Sequence, residues 1–430
     1  MATKTETILL KSVERVSGEI QLPGSKSISN RVLLLSALAS GTTTVRNLLH
    51  SDDIERMLEA LSVLRVEVAY SPEDGTVRVL GKSGPMECAR ADLYLGNAGT
   101  AMRPLCAALT LGTGEFVLTG NDRMCERPIG DLVDTLRQAG AKIAYLDHDG
   151  YPPVAITAQG LDGGHISIRG DISSQFLTAI LIAAPMARQE TVITVNGELV
   201  SRPYIDITLA LMRRFGVTVE NREYARFTVP VIRHYISPGD ISIEGDASSA
   251  SYFLSAAAIR GGTVRVRGVG SASVQGDVAH ADVLEMMGAT VRRGDDWIEV
   301  TRGELHGVDI DCGKMPDAAM TVAATALFAE GKTILRNIYN WRVKETDRLA
   351  AMTKELTKLG ALVSEQRDSI EISPPDSIQP AIIDTYDDHR MAMSLSLAAL
   401  GEADIVINEP GCVTKTFPDY FEKLESIVQR

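Results

Sequence analysis

A pattern of apolar and polar positions recurs six times along the chain. Each copy predicts a short strand, a glycine turn with small polar residues, an apolar helix and a strand rich in β-branched residues. The clearest pair is GEIQLPGSKSISNRVLLLSALASGTTTVRN from Gly18 and GDISIEGDASSASYFLSAAAIRGGTVRVRG from Gly239. The turns recur about every 72 residues, near 24, 96, 170, 245, 313 and 386, so six copies fill the 430 residues. This periodicity predicts a repeat architecture.

A second, amphipathic helix follows in each copy. RPIGDLVDTLRQAGAKI and TDRLAAMTKELTKLGALV place apolar residues at i, i+3, i+4 and i+7 and end in a glycine that fits a C′ cap. Each copy therefore reads β-α-β-α-β-β, which predicts an α/β fold. The sixth copy lacks its closing strands, and we expect the N-terminal TILL (7–10) to complete it.

Six copies can form two domains of three. The two best-matching copies start at Gly18 and at Gly239, and the second start is close to the midpoint of the chain. We therefore expect the chain to cross between domains near 22–24 and 240–244. This predicts an N-terminal lobe over 23–242 and a C-terminal lobe built from 1–22 and 243–430. Two short crossings favour lobes that close on a ligand.

Composition excludes several classes of protein. A net charge of −13 argues against a surface devoted to nucleic acid or an anionic membrane, so any anion site must be a local basic cluster. Five widely spaced cysteines without CxxC, and histidines without HExxH, indicate free thiols and no metal site. The start of the chain does not resemble a signal peptide. We expect a cytoplasmic protein.

The starts of the buried helices are the first candidate sites. Free N–H groups and the helix dipole attract anions there. PGSKSISNR places Lys26 at such a start, where the dipole disfavours a cation unless an anion compensates it. LGNAGTAMR (95–103) allows close backbone approach at Gly99, and SSQ (173–175) offers three donors.

Charged loops supply further candidates. CERPIG, SRPYI, NWRVKETDR, DDHR and TKTFPDYF each carry cations, although each alone fits an ordinary solvated or salt-bridged surface. MPDAAM differs because Asp317 starts an apolar helix, where a cap and a catalytic carboxylate are equally consistent with the spacing. Together, these cations and carboxylates suit a site that binds two small polyanions. Such a site could transfer a group between them by direct acid–base chemistry, without a cofactor.

Nine ordered motifs resemble the 5-enolpyruvylshikimate-3-phosphate (EPSP) synthase family. They are PGSKSISNR, LGNAGTAMRP, MCERPIG, SSQFLTA, SRPYID, MPDAAMT, NIYNWRVKETDRL, DDHRMAM and TKTFPDYF. The resemblance implies a two-domain inside-out α/β barrel with three repeats in each domain. It also implies transfer of the enolpyruvyl group of phosphoenolpyruvate to the 5-hydroxyl of shikimate 3-phosphate, with release of phosphate, a step of the shikimate pathway to chorismate and aromatic amino acids.

The resemblance also implies roles for individual residues. It makes Asp317 the base and Glu345 the acid, with Lys26 assisting. It assigns shikimate 3-phosphate to Lys26, Ser27, Arg31, Ser173, Ser174, Gln175, Ser201, Tyr204, Asp317, Asn340 and Lys344. It assigns phosphoenolpyruvate to Lys26, Gly99, Thr100, Arg127, Gln175, Arg348, His389, Arg390 and Lys415.

Two other functions remain open at this stage. A UDP-N-acetylglucosamine enolpyruvyl transferase would share the architecture and carry a reactive cysteine near Cys125. A non-catalytic repeat scaffold could bind anions at the same helix starts. Gly99 and Pro104 match the form of the family that glyphosate inhibits, so we expect a sensitive enzyme, and the family suggests a monomer.

Overall fold

The chain forms two compact units, each around its own hydrophobic core. The computed structural model describes residues 6–71, 73 and 75–430. The N-terminal unit is Gly24–Ile243. The C-terminal unit combines the described part of Met1–Pro23 with Glu244–Arg430.

The first three copies follow a short segment of three strands. That segment contains β1 (Thr7–Leu10), β2 (Arg15–Val16) and β3 (Gly18–Gln21). The first copy continues with α1 (Lys26–Leu38), β4 (Ala39–Ser40), β5 (Thr42–Arg46), α2 (Asp52–Val63), β6 (Glu67–Ser71) and β7 (Thr76–Leu80). The second contains β8 (Arg90–Tyr94), α3 (Gly99–Leu109), β9 (Thr113–Thr119), α4 (Asp122–Glu126), α5 (Gly130–Gln138), β10 (Lys142–Tyr145) and β11 (Val154–Gln159). The third contains β12 (Gly164–Arg169), α6 (Ser174–Ala183), a 3-10 turn (Ala184–Met186), β13 (Thr191–Asn196), α7 (Arg202–Arg214), β14 (Glu220–Arg222), β15 (Arg226–Val229) and β16 (Tyr235–Ile236).

The last three copies follow the same order. The fourth contains β17 (Asp240–Ser242), α8 (Ala247–Arg260), β18 (Thr263–Arg267), a 3-10 helix (Gly276–Ala279), α9 (His280–Met286), β19 (Thr290–Arg293) and β20 (Trp297–Thr301). The fifth contains β21 (Asp309–Asp311), α10 (Ala319–Thr325), 3-10 helices Ala326–Phe328 and Tyr339–Val343 on either side of β22 (Thr333–Arg336), α11 (Arg348–Lys358), β23 (Leu362–Glu365) and β24 (Ile370–Ser373). The sixth contains β25 (Ala381–Ile383), α12 (His389–Leu395), 3-10 helices Ser396–Leu400 and Pro410–Lys415 on either side of β26 (Ile405–Asn408), α13 (Tyr420–Ser426) and β27 (Val428–Gln429).

Every copy builds a sheet on one plan, in which a parallel pair is extended by antiparallel strands. The N-terminal unit has the sheets β17-β5-β7-β6, β8-β9-β11-β10 and β12-β13-β15-β14, with a small pair β4-β16. The C-terminal unit has β3-β18-β20-β19, β21-β22-β24-β23 and β25-β26-β1, with a small pair β2-β27. The predicted α/β repeat is confirmed. The sheets formed by residues 6–71, 73 and 75–430 are open, and none closes into a barrel.

Two opening strands are exchanged between the sheets. β3 lies parallel to β18 in the C-terminal unit, and β17 lies parallel to β5 in the N-terminal unit. The chain therefore leaves the C-terminal unit after Pro23 and returns at Glu244. β1 pairs antiparallel with β26 and adds the third strand to the last sheet.

The two helices of a copy differ in burial. α1 and α8 are buried along almost their whole length, including the polar residues Lys26, Asn30 and Arg31 of α1. α2, α5 and α11 bury one face only, as their 3.6-residue periodicity predicts. Gly140 and Gly360 follow the ends of α5 and α11 with φ of 92° and 96°, the left-handed C′ conformation that favours glycine. No helix in the described part of the chain is long and apolar enough to cross a bilayer.

Candidate active site

Hydrogen bonds link the first two turns of α1 to α3, α6 and α7 in the N-terminal unit. Asn30 Nδ2 on α1 donates to Thr100 Oγ1 on α3 at 2.7 Å. Arg31 on α1 donates to Thr178 Oγ1 on α6 and to Thr208 Oγ1 on α7. The predicted residues on these helix starts therefore share one region of the unit.

Arg31 is a buried cation whose hydrogen bonds all go to neutral oxygens. Its guanidinium donates to Thr208 Oγ1 at 2.9 Å, Thr178 Oγ1 at 3.2 Å, and the carbonyls of Ser27 at 2.8 Å and Tyr204 at 3.4 Å. None of the ion pairs in the described residues includes Arg31. Burial lowers its pKa to about 10, with Tyr204 acting in the opposite sense. A buried cation without a carboxylate is suited to an anionic ligand.

Lys26 has an internal counter-charge. Its Nζ lies 3.4 Å from Asp53 Oδ2, and both side chains are buried. Asp53 is in the first turn of α2, where a carboxylate also favours the helix dipole. The anion that compensates the cation at the start of α1 is therefore supplied by the protein itself, which the sequence motif did not reveal.

Because Gly99 has no side chain, two guanidinium groups lie close to its backbone. A Cβ at Gly99 would lie 2.7 Å from Arg127 Nη2 and 3.2 Å from Arg103 Nη1. Arg127 Nη1 donates to Asn97 Oδ1 at 2.8 Å, which orients the guanidinium, and its buried Nε has no hydrogen-bond partner in the described chain. The absence of a side chain at Gly99 thus lets Arg127 approach the start of α3.

The predicted serines lie at the starts of α6 and α7. Ser173 caps α6, accepting from the Gln175 backbone N–H at 3.3 Å, and Ser174 is the first helical residue. Ser201 precedes α7 in the left-handed conformation, with φ of 54°, and is buried. Tyr204 follows in the first turn of α7.

Arg348 is the centre of a buried cluster in the C-terminal unit. Its side chain is 1% exposed and contacts three carboxylates. Nε donates to Asp388 Oδ2 at 2.7 Å, Nη2 to Glu345 Oε2 at 2.9 Å, and Nη1 to Asp317 Oδ1 at 2.9 Å. Burial lowers the pKa of Arg348, but Asp388, Glu345 and Asp317 outweigh this and hold the pKa above its ordinary value.

Asp317 lies between two arginines. Arg390 Nη2 donates to Asp317 Oδ2 at 3.1 Å while Arg348 holds the other oxygen, and Lys344 Nζ is 3.8 Å from Oδ1. Burial raises the pKa of Asp317, but the positive charges of Arg390, Lys344 and Arg348 outweigh burial. They keep the pKa well below its usual range. In this arrangement Asp317 is an ionised counter-ion and a weak base.

Tertiary contacts fix the turn that carries Asp317. Asp317 precedes the first residue of α10, Ala319, by two positions, so it lies in a turn and not in the helix that the sequence suggested. The buried Trp341 donates its Nε1 hydrogen to the Pro316 carbonyl at 2.7 Å. Trp341 follows the buried Asn340 in the 3-10 helix Tyr339–Val343.

The remaining predicted residues surround α12. His389 is the first residue of α12, is fully buried, and its Nδ1 is 3.6 Å from Asp388 Oδ1. Lys415 is buried at the end of the 3-10 helix Pro410–Lys415, which packs against α12. The described contacts thus group the predicted residues into two sets, one in each unit.

Several residues of the two sets were not predicted from the sequence. Asp388 was adjacent to predicted residues in DDHR, and its N-cap position before α12 was the available signal. Asp53, Arg103, Tyr252 and Trp341 gave no local signal, because only tertiary packing brings them to Lys26, Gly99, Arg390 and Pro316.

Two solved structures share this fold over nearly the whole chain. The EPSP synthase from Acinetobacter baumannii matches with a TM-score of 0.83 and 28% identity, covering 99% of this chain and 98% of that chain. The enolpyruvyl transferase NikO from Streptomyces tendae matches in fold with a TM-score of 0.79 and 18% identity, covering 99% and 98%. The chain therefore has the fold of the EPSP synthase and enolpyruvyl transferase structures.

Sequence comparison identifies the family. The sequence model of EPSP synthase (3-phosphoshikimate 1-carboxyvinyltransferase) matches residues 10–424. A Sulfurovum sp. relative named 3-phosphoshikimate 1-carboxyvinyltransferase is 60% identical over 422 residues, covering 98% of this chain and 99% of the relative. The chain belongs to the EPSP synthase family, so the predicted enzyme class is confirmed. Membership decides against the UDP-N-acetylglucosamine enzyme and the non-catalytic scaffold.

Proposed function

We propose that the set in the N-terminal unit binds shikimate 3-phosphate. Ser27 and Arg31 hold the carboxylate, and the serines at the starts of α6 and α7, Ser173, Ser174 and Ser201, hold the phosphate with Tyr204 and Gln175 beside them. The buried charge of Arg31, which has no carboxylate partner, supports this assignment. Lys344 also binds the phosphate, with Asn340 nearby.

A second group of residues binds phosphoenolpyruvate. Lys26, Arg127, Gln175 and Lys415 bind its phosphate beside the Gly99–Thr100 backbone. Arg348 and Arg390 bind its carboxylate, with His389 adjacent. These arginines already hold a carboxylate, since each donates to one oxygen of Asp317. The donor carboxylate takes over those two hydrogen bonds.

Displacing Asp317 from the arginines turns it into a base. Its pKa rises once Arg390 and Arg348 neutralise the donor instead, because these two charges, together with Lys344, hold the pKa of Asp317 down. Asp317 then accepts the proton of the 5-hydroxyl as the oxygen attacks the enol carbon. Glu345 in its protonated form, assisted by Lys26, donates a proton to the methylene carbon, which becomes a methyl group in the tetrahedral adduct. The adduct then loses phosphate and returns one methyl proton to Glu345, which leaves the enolpyruvyl ether, and the departing phosphate takes the proton held by Asp317. Pairing two polyanions with fixed cations supplies proximity and charge neutralisation.

The observation that carries the mechanism is the placement of Asp317 and Glu345 on the same buried guanidinium. We expect Asp317→Asn and Glu345→Gln each to lower kcat about 100-fold or more while both substrates still bind, a typical size for a lost proton-transfer group. The assay measures phosphate release from phosphoenolpyruvate with shikimate 3-phosphate. Asp376→Asn and Glu402→Gln are matched controls on exposed residues of the same unit. Unchanged turnover in either site variant contradicts the assigned role.

Three further expectations belong to this proposal. The enzyme acts in the cytoplasm as a monomer, and glyphosate inhibits it in competition with phosphoenolpyruvate. The crowded guanidinium groups at Gly99 support the last point, because a compact anion fits only where residue 99 has no side chain. Insensitivity to millimolar glyphosate would contradict it.

A further inference from the structure

Asp277 is a buried carboxyl group that lies outside every motif of the family resemblance. It belongs to the 3-10 helix Gly276–Ala279 and is 6% exposed. Ser248 Oγ on α8 donates to Asp277 Oδ2. The other oxygen, Oδ1, is buried and has no hydrogen-bond partner in the described chain. An ionised carboxylate with so few donors is costly, so the group is poised between its two charge states.

Helix α8 connects Asp277 to the arginine cluster. Ser248 and Tyr252 are four residues apart and therefore lie on the same face of the helix. Ser248 contacts Asp277, and the Tyr252 hydroxyl accepts from Arg390 Nη1 at 3.3 Å. Asp277 also interacts electrostatically with Arg390 and with Asp317. The charge of Asp277 therefore acts on the arginine that is assigned to the donor carboxylate.

The charge of Asp277 changes near neutral pH. The pKa of Asp277 is raised to about 7, chiefly by burial and also by Asp317 and Asp246, while Arg390 and Ser248 lower it. Burial lowers the pKa of the adjacent His280 to about 3 and raises the pKa of Tyr252 above its usual value, so both are neutral in this range. The charged groups that act on Asp277 are Asp246, Asp317 and Arg390. The titratable Tyr252 and His280 lie on α8 and α9, the helices that pack against its 3-10 helix.

We propose that Asp277 is a positioning residue that makes the affinity for the donor depend on pH through Arg390. When protonated, Asp277 leaves the charge of Arg390 to the donor carboxylate. When ionised, it adds a competing negative charge behind Arg390 and weakens donor binding. The inference rests on the assignment of Arg390 to phosphoenolpyruvate in the proposed function.

The test compares KM for phosphoenolpyruvate in the wild type and Asp277→Asn from pH 6 to pH 8.5. The amide resembles the protonated acid and can still accept from Ser248. We expect KM of the wild type to rise roughly fivefold more than that of the variant across this range, at the lower end of typical coupling between groups. Both enzymes share the titration of the substrate, so the difference reports Asp277. Asp282→Asn, on an exposed residue of α9, should follow the wild type. Equal pH profiles in wild type and Asp277→Asn overturn the proposal.

Two further measurements test the role of Asp277 if Asp277→Asn folds poorly. Ser248→Ala removes a donor that favours ionisation, so the rise in KM should move to higher pH; an unmoved rise counts against the proposal. Infrared difference spectra of the unliganded protein should show a buried carboxylic acid band that titrates near neutral pH and is missing in Asp277→Asn. Absence of that band overturns the proposal whatever the turnover, whereas loss of the proposed function would appear as turnover insensitive to Asp317→Asn and Glu345→Gln.

Discussion

Arg31 and Arg348 are both buried, and their different partners indicate different roles. Arg348 contacts three carboxylates and is neutralised by the protein, whereas Arg31 contacts hydroxyl and carbonyl oxygens. Removing one partner from a neutralised buried pair leaves a costly charge behind. Replacing a buried cation that lacks a carboxylate mainly removes the attraction for its ligand.

This contrast predicts the effect of Arg31→Met, which retains most of the side-chain length. A hydrogen bond to a charged group contributes about 1.5–3 kcal/mol, so KM for shikimate 3-phosphate should rise roughly 10- to 100-fold. KM for phosphoenolpyruvate should change much less. Steady-state kinetics measure both, with Arg188→Met, on an exposed ion pair of the same unit, as the control. An equal rise in both KM values would argue against the assignment to the acceptor.

At Gly99, one added carbon should weaken the binding of both phosphoenolpyruvate and glyphosate. Gly99→Ala places a Cβ 2.7 Å from Arg127 Nη2, so the guanidinium must move. We expect KM for phosphoenolpyruvate and the inhibition constant of glyphosate to increase about tenfold or more, the cost of displacing one charge-assisted contact. Gly411→Ala, which points into open space, is the control. Unchanged glyphosate inhibition would show that Arg127 does not contact it.

The first turns of five helices, or the residues just before them, carry most of the functional groups. α1, α3, α6, α11 and α12 begin within a residue or two of predicted site residues. Sequence could find these starts because a glycine turn, small polar residues and an apolar run follow one another locally. It could not find Asp277 or Asp53, because their importance depends on which helix start packs against them, and that contact is made across long stretches of chain.

The N-cap of α11 should contribute to both stability and turnover. Asp347 Oδ1 accepts from the Ala350 N–H at 3.2 Å directly before Arg348, whereas Asp419 precedes α13 without a side-chain cap bond. Asp347→Ala should lower the free energy of unfolding by about 1 kcal/mol, and Asp419→Ala by less than about 0.5 kcal/mol. Urea denaturation measures both. Because the cap orients the first turn of α11, kcat should also fall in Asp347→Ala; equal effects of the two substitutions would contradict this.

For the whole molecule, the response to acid should depend strongly on one histidine. Burial lowers the pKa of His280 from 6.5 to about 3, so the unfolded chain binds a proton that the folded chain excludes. Its contribution is therefore complete above about pH 6.5 and is lost as the pH falls, by roughly 3 kcal/mol between pH 7 and pH 4. Asp277 acts in the opposite sense, since its raised pKa favours the folded state as the pH falls from about 7.

The difference between histidine variants isolates this effect. His280→Gln should unfold in urea with a smaller loss of stability between pH 7 and pH 4 than the wild type. His148→Gln, at a side chain that is 82% exposed, should keep the wild-type dependence. The same slope in all three proteins would show that His280 can be protonated without unfolding.

The exchange of β3 and β17 makes the N-terminal unit a continuous insertion in the other one. Pro23 and Asp246 mark the interruption, and the Asp246 N–H donates to the Pro23 carbonyl at 2.9 Å. During synthesis, Gly24–Ile243 emerges as one uninterrupted stretch that holds every strand of its own sheets. β1 and β3 must wait for β26 and β18, so closing those sheets spans most of the chain. The nascent polypeptide should therefore acquire protease resistance first in the inserted half, and the cluster around Arg348 should be assembled only near the end of translation.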